Sequence, residues 1–175
     1  MSRISKTEYY LNIAEAVSQR STCIRRHYGC VIVRNDEIIA TGYNGSPRGE
    51  VNCCDVYEIC PRHSQEHNTG NYADCPAVHA EQNAMLSAPR HMLAYSTVYL
   101  AGFEGDGTPI EECKPCPICE RMLKNAVVKK VVTRHGEIVY NPTFTYDQWI
   151  SVQEASQNHQ KEAEEQERRV RHVEW

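Results

Sequence analysis

The sequence predicts an α/β fold in which one sheet is covered by helices, and three observations predict it. Helix-like and strand-like patterns follow one another in the order α-β-β-α-β-α-β, for which a sheet packed between helices is the layer solution. The chain has 175 residues, the length of one domain with an appendage. At 41% hydrophobic and 24% charged it has the material for a core, and no apolar run is long enough to cross a bilayer.

Residues 6–19 carry Tyr10, Ile13, Ala14 and Val17 on one helical face, and Ser5 followed by Glu8 fits a capping box. Gly29–Val33 and Glu37–Tyr43, rich in Val and Ile, flank Arg34-Asn35-Asp36 and predict a hairpin. From Asn44 to Ala77 the chain is rich in Gly, Cys, His and polar residues without periodicity, longer than loops usually run. Good helix formers fill Val78–Ser87, starting almost at His79 and stopped by Pro89. Tyr95–Ala101 predicts a strand and Pro117–Asn125 a short proline-opened helix, with Met122 and Leu123 facing inward. Val127–Thr133 predicts another strand, and Glu137–Tyr140 offers one more. The expected organisation is a domain over residues 1–146, with an insert at about 50–77, and a helical or partly disordered arm over 147–175.

The net charge of -4 argues against a dedicated duplex binder but not against a small basic pocket for one nucleotide. The opening residues lack the apolar stretch of a secretory signal, so the expected location is cytoplasmic, with no membrane association. In a reducing compartment the nine cysteines are read as metal ligands, nucleophiles or buried small hydrophobes.

The sharpest motif is His79-Ala80-Glu81, followed downstream by Pro115-Cys116-Pro117-Ile118-Cys119. One imidazole and two thiolates three positions apart can hold a tetrahedral Zn²⁺ with its fourth position open to water, which the ion acidifies toward neutrality. Glu81, two residues beyond the histidine, can reach that water without ligating the metal, as a proton shuttle requires. The ordered combination of H-x-E with P-C-x-x-C is the signature of zinc nucleobase deaminases.

With Ser21-Thr22-Cys23, Arg25-Arg26, Gly29, Thr41-Gly42-Tyr43-Asn44-Gly45-Ser46-Pro47 and His79-Ala80-Glu81-Gln82-Asn83-Ala84, the chain resembles the deoxycytidylate (dCMP) deaminase family of the cytidine deaminase-like superfamily, over about residues 8–133. The resemblance implies a three-layer α-β-α cytidine deaminase-like fold with a mixed central sheet. It implies hydrolysis of dCMP to dUMP and ammonia in pyrimidine deoxynucleotide biosynthesis, with Glu81 catalytic and His79, Cys116 and Cys119 on zinc. It further implies a nucleotide pocket using Asn44 at the sugar, Ser46 and a main-chain group near Ala80. Arg25 and Arg26 each read equally as a phosphate contact or a surface ion pair, with Arg26 favoured. Some family members carry a second, structural zinc. Matching positions favour Cys23 and Cys53, completed by Cys60 and Cys75, with His63 an alternative to one of them and His67 in the same stretch; inert thiols packed under a loop are the competing reading. The family also leads us to expect a homohexamer, an allosteric enzyme activated by dCTP with Mg²⁺ and inhibited by dTTP.

Tyr28 and Cys30 around Gly29, and a long acidic connection from Gly102 to Lys114, depart from the commoner family pattern and bear on pocket size. Competing readings are a modified cytosine nucleotide or free cytidine as substrate, or a non-enzymatic nucleic-acid-binding protein on the same scaffold. The absence of a basic, aromatic-rich stripe disfavours the last.

Overall fold

The structure, a computed structural model, describes residues 2–65, 74–143 and 146–171. The chain forms two compact units, Met1–Asn141 and Pro142–Trp175. In the first, helix α1 (Lys6–Ser18) precedes the hairpin β1 (Arg26–Arg34) and β2 (Glu37–Tyr43). There follow a single turn α2 (Cys53–Val56), α3 (Ala80–Leu86), α4 (Arg90–Leu93), β3 (Thr97–Glu104), α5 (Pro117–Asn125), β4 (Lys130–Thr133) and β5 (Gly136–Val139). The second unit contains α6 (Tyr146–Arg171). No helix among the described residues is long and apolar enough to cross a membrane.

The five strands lie in the order β2-β1-β3-β4-β5. All pairings are antiparallel except β3 with β4, which α5 joins as a crossover, so the sheet is mixed. Alternation sorts the central strands' side chains to two cores. Cys30, Ile32, Val98, Leu100 and Val131 meet Ala80 and Ala84 of α3 and Leu123 of α5 on one face. Val31, Val33, Tyr99, Ala101 and Val132 meet Tyr10, Leu11 and Ala14 of α1 on the other. These are the three expected layers. Because β1 is covered on both sides, it reads as a continuous apolar run rather than an alternating one.

Each helical layer touches the sheet at a glycine. A Cβ on Gly29 would lie 2.0 Å from the Ala14 carbonyl oxygen of α1. One on Gly42 would lie 2.3 Å from Ala84 N and 2.4 Å from the Ala80 carbonyl oxygen of α3. Backbone therefore packs on backbone at both positions.

Several local expectations are corrected. The Ser5 side chain accepts from Glu8 N as an N-cap, but the Glu8 carboxylate takes Arg134, which also binds Asn12 and Glu15 and ties α1 to the β4–β5 turn. In α5 Leu123 is fully buried together with Cys119, but Met122 is 37% exposed and accepts a contact from Gln82 Nε2 at 3.6 Å. The hairpin turn places Asn35 and Asp36 at φ 50° and 67°, the left-handed pair of a type I′ turn. Tyr10 closes that turn by donating to the Asp36 carbonyl and carboxylate, both at 2.9 Å. The α3 helix ends before Pro89 as expected, Pro89 being also the N-cap of α4, whereas β4 begins at Lys130 and not at Val127, which sits at φ 61°.

Candidate active site

The candidate site forms where two helices begin. His79 is the N-cap of α3, its extended backbone fixed by donation to Gln82 Oε1 at 3.0 Å. The residue before it, Val78, is paired with Gly45 by two backbone bonds of 2.8 and 3.1 Å, so the Gly-Tyr-Asn-Gly run is anchored directly to the metal motif. Cys116 is the N-cap of α5, with Pro117 opening the helix and Cys119 one turn in.

His79 Nδ1 lies 3.4 Å from the sulfurs of both Cys116 and Cys119, and the three ligand atoms all fall within 4.8 Å of one another. A tetrahedral zinc with bonds of about 2.0–2.1 Å to nitrogen and 2.3 Å to sulfur separates such atoms by about 3.5 Å, so the set fits the ion. It is the one such group among the described residues. A hydrogen bond from Cys119, helped by the imidazole, pulls the Cys116 thiol down to about 4, and Cys119 as the donor is pushed up. One ligand is thus ready as thiolate, the form a metal requires. The hydrogen bond to Cys116 raises His79 against the effect of burial.

Glu81 is 4% exposed, and burial raises its carboxyl above the ordinary range. It is the only carboxylate among the described residues lining a cavity of about 100 Å³ that also reaches His79, Cys116 and Ala80. Four cationic residues line the same cavity: Arg25, Arg26, Arg62 and Lys114. Sequence reasoning missed Arg62 and Lys114, since neither belongs to a periodic element.

Asn44 lines this cavity, but its amide is already engaged. Oδ1 accepts from Ser21 Oγ at 2.8 Å and Tyr28 N at 2.7 Å, while Nδ2 donates to the Arg26 carbonyl at 2.8 Å. Ser46, expected on the pocket edge, instead places its hydroxyl 3.8 Å from the Cys53 sulfur. Arg26 is held by Glu104 in two bonds of 2.8 and 3.0 Å. Tyr28 also lines the cavity, and its ring covers Gly102.

Cys23, Cys53, Cys60 and Cys75 line one smaller cavity of about 10 Å³, roughly room for a water molecule, although their sulfurs do not form a group as tight as the first. His63 borders a different cavity, and His67 lies outside the described residues. Cys30 and Cys113 are buried in the core.

Residues 4–135 match the family model described as the cytidine and deoxycytidylate deaminase zinc-binding region. The chain is 33% identical over 146 residues to the deoxycytidylate deaminase of Schizosaccharomyces pombe, covering 83% of this chain but only 39% of that protein. It is 35% identical over 138 residues to the deoxycytidylate deaminase of Mycobacterium phage D29, covering 75% of this chain and 96% of the phage protein. The crystal structure of dCMP deaminase from cyanophage S-TIM5 in complex with dCMP and dUMP superposes with a TM-score of 0.54 at 30% identity, over 76% of this chain and 83% of that one.

Proposed function

We propose, on the premise that this chain belongs to the cytidine and deoxycytidylate deaminase family, that it hydrolyses dCMP to dUMP and ammonia. The deaminase chemistry follows from the family; the choice of substrate is our reading. One observation carries it: Arg25, Arg26, Arg62 and Lys114 line the cavity that reaches His79 and Cys116 of the metal set. Arg26 and Lys114 are paired with Glu104 and Glu112, but a neutral nucleoside has no use for the charge that Arg25, bonded to carbonyl oxygens, keeps there, whereas a 5′-phosphate does.

His79, Cys116 and Cys119 would hold the zinc. When bound there, the ion supplies a nucleophilic water at neutral pH. Glu81 takes the proton from the attacking water, delivers one to N3 of the cytosine ring, and assists departure of ammonia from C4. Water's oxygen ends on C4 and its hydrogens on the product and leaving group. Burial suits Glu81 to this exchange, because a raised carboxyl pKa brings acid and base forms closer in energy near neutrality. The Ala80 main chain meets the base, with Asn44 at the sugar edge and Arg26 on the phosphate side.

Cys23, Cys53, Cys60 and Cys75 are proposed as a second, structural zinc site. The support is their convergence on one small cavity and the preference of closed zinc sites for four soft donors. A homohexamer, activation by dCTP with Mg²⁺ and inhibition by dTTP complete the proposal, and light scattering with rate curves in each nucleotide tests them.

The deciding experiment is a panel of dCMP, deoxycytidine, cytidine and 5-substituted dCMP, read by ammonia release and mass at measured zinc content. Preferential turnover of dCMP with up to two zinc ions per chain is expected. Preference for cytidine or a modified nucleotide overturns the substrate assignment.

A further inference from the structure

The tripeptide Cys-x-Arg occurs at Cys23-Ile24-Arg25 and again at Cys60-Pro61-Arg62, and the fold brings the two copies together. Cys23 and Cys60 share the small thiol-lined cavity, while Arg25 and Arg62 share the cavity above Glu81. The copies are also joined directly. Arg25 Nη1 donates to the Arg62 carbonyl and Nη2 to the Gln65 carbonyl, each at 2.6 Å. Cys23 Sγ accepts from Arg25 N at 3.4 Å, and His63 N closes a turn onto the Cys60 carbonyl at 2.8 Å. Each arginine is therefore held on a short backbone segment that begins at a thiol.

The charges differ in what they meet. Arg26 is neutralised by Glu104 and Lys114 by Glu112. Arg25 has only neutral carbonyl oxygens as partners among the described residues, so its positive charge is carried into the cavity. Arg62 is 8% exposed, lines the same cavity as His79, and is held by donation from Nε to Gln65 Oε1 at 2.8 Å. A guanidinium held by two carbonyls keeps donors to spare and loses little entropy on meeting an anion.

We infer that the two Cys-x-Arg tripeptides form one unit in which Arg25 and Arg62 select the anionic 5′ group of the substrate while Cys23 and Cys60 fix the spacing of the two arginines. This rests on the reading of the substrate as a nucleotide. It makes the cysteine-rich insert part of substrate selection and not only of stability, and it adds to Arg26, which Glu104 already pairs, an Arg25 whose charge meets no carboxylate among the described residues.

The test uses the full zinc-loaded chain and the variants Arg25→Gln, Arg25→Lys, Arg62→Gln and Cys60→Ser. Kinetics on dCMP and deoxycytidine are paired with calorimetric binding of dUMP, zinc content and thermal melting. Arg25→Gln and Arg62→Gln should each raise KM for dCMP and Kd for dUMP about 10- to 100-fold, with a much smaller change in kcat and in kcat/KM for deoxycytidine. Arg25→Lys, which keeps the charge and one donor direction, should fall between wild type and Arg25→Gln even if the latter folds poorly. Cys60→Ser should weaken dUMP binding, and combining it with Arg62→Gln should add little. Equal losses for dCMP and deoxycytidine would make the arginines structural, and full additivity would remove the positioning role of the thiols. A wild type that prefers another pyrimidine nucleotide, with the same Arg25 dependence, keeps this subsite while overturning dCMP as substrate. A wild type indifferent to the phosphate overturns both.

Discussion

Arg26 and Glu104 are cross-strand partners at the open end of the β1–β3 ladder, and their side chains close on each other in two bonds of 2.8 and 3.0 Å. The arginine that sequence reasoning favoured for phosphate recognition therefore arrives at the cavity with its charge met. The Arg26 Nη1 atom stays buried without a hydrogen-bond partner among the described residues. Glu104→Gln releases that charge and should tighten dUMP binding by about 2- to 5-fold, lost again at high salt. Unchanged or weaker binding by calorimetry would mean that the pair acts only to hold the strands.

Glu81→Gln should keep the zinc and lose roughly 10²- to 10⁴-fold in kcat, because the amide cannot carry a proton in either direction. Metal analysis alongside rate measurement separates the two effects. His79→Ala should instead lose both metal and rate.

Asn44→Ala should cost about 2–4 kcal/mol in urea unfolding. The substitution strands the Tyr28 N–H and the Arg26 carbonyl, both bonded to one buried amide, while the Ser21 hydroxyl keeps the Asn44 carbonyl at 2.9 Å. Asn44→Asp should be no better, since a carboxylate accepts where Nδ2 now donates to Arg26.

Burial, followed by the Asp36 contact, raises the Tyr10 phenol to about 12. An unfolded tyrosine titrates near 10. The folded state thus favours the neutral phenol, so this contribution to stability is complete below about pH 10 and is lost as pH climbs toward about 12. Tyr28 and Tyr140 are shifted in the same direction by burial. Tyr10→Phe should flatten part of the alkaline fall in unfolding free energy and lower stability at neutral pH through loss of the Asp36 bonds. An identical alkaline slope in the variant would assign the fall to other groups.

The metal set was legible because each ligand sits at a helix start whose local signals are strong: a histidine N-cap before Glu81, and a cysteine N-cap before Pro117. The central strands were legible as short runs of β-forming residues between turn signals. Arg62 was not, because its position depends on how an aperiodic insert returns to Arg25 through backbone carbonyls, which side-chain patterns do not encode. Met122 failed for a different reason. On a nine-residue helix, burying Cys119 and Leu123 uses the inward face, and the neighbouring residue is turned out. Asn44 was found by motif, but its structural duty was hidden, since the groups it bonds belong to backbone far away in sequence.

Gly42 lies on β2, far along the chain from every metal ligand, yet it determines how deeply α3 can seat. Even one methyl group there would collide with the Ala80 carbonyl and the Ala84 nitrogen, lifting the helix that His79 caps. The imidazole would then be drawn off the two sulfurs it meets at 3.4 Å. The missing side chain works as a ruler: the tolerance of the metal centre is set by an empty position on a strand that contributes nothing to coordination.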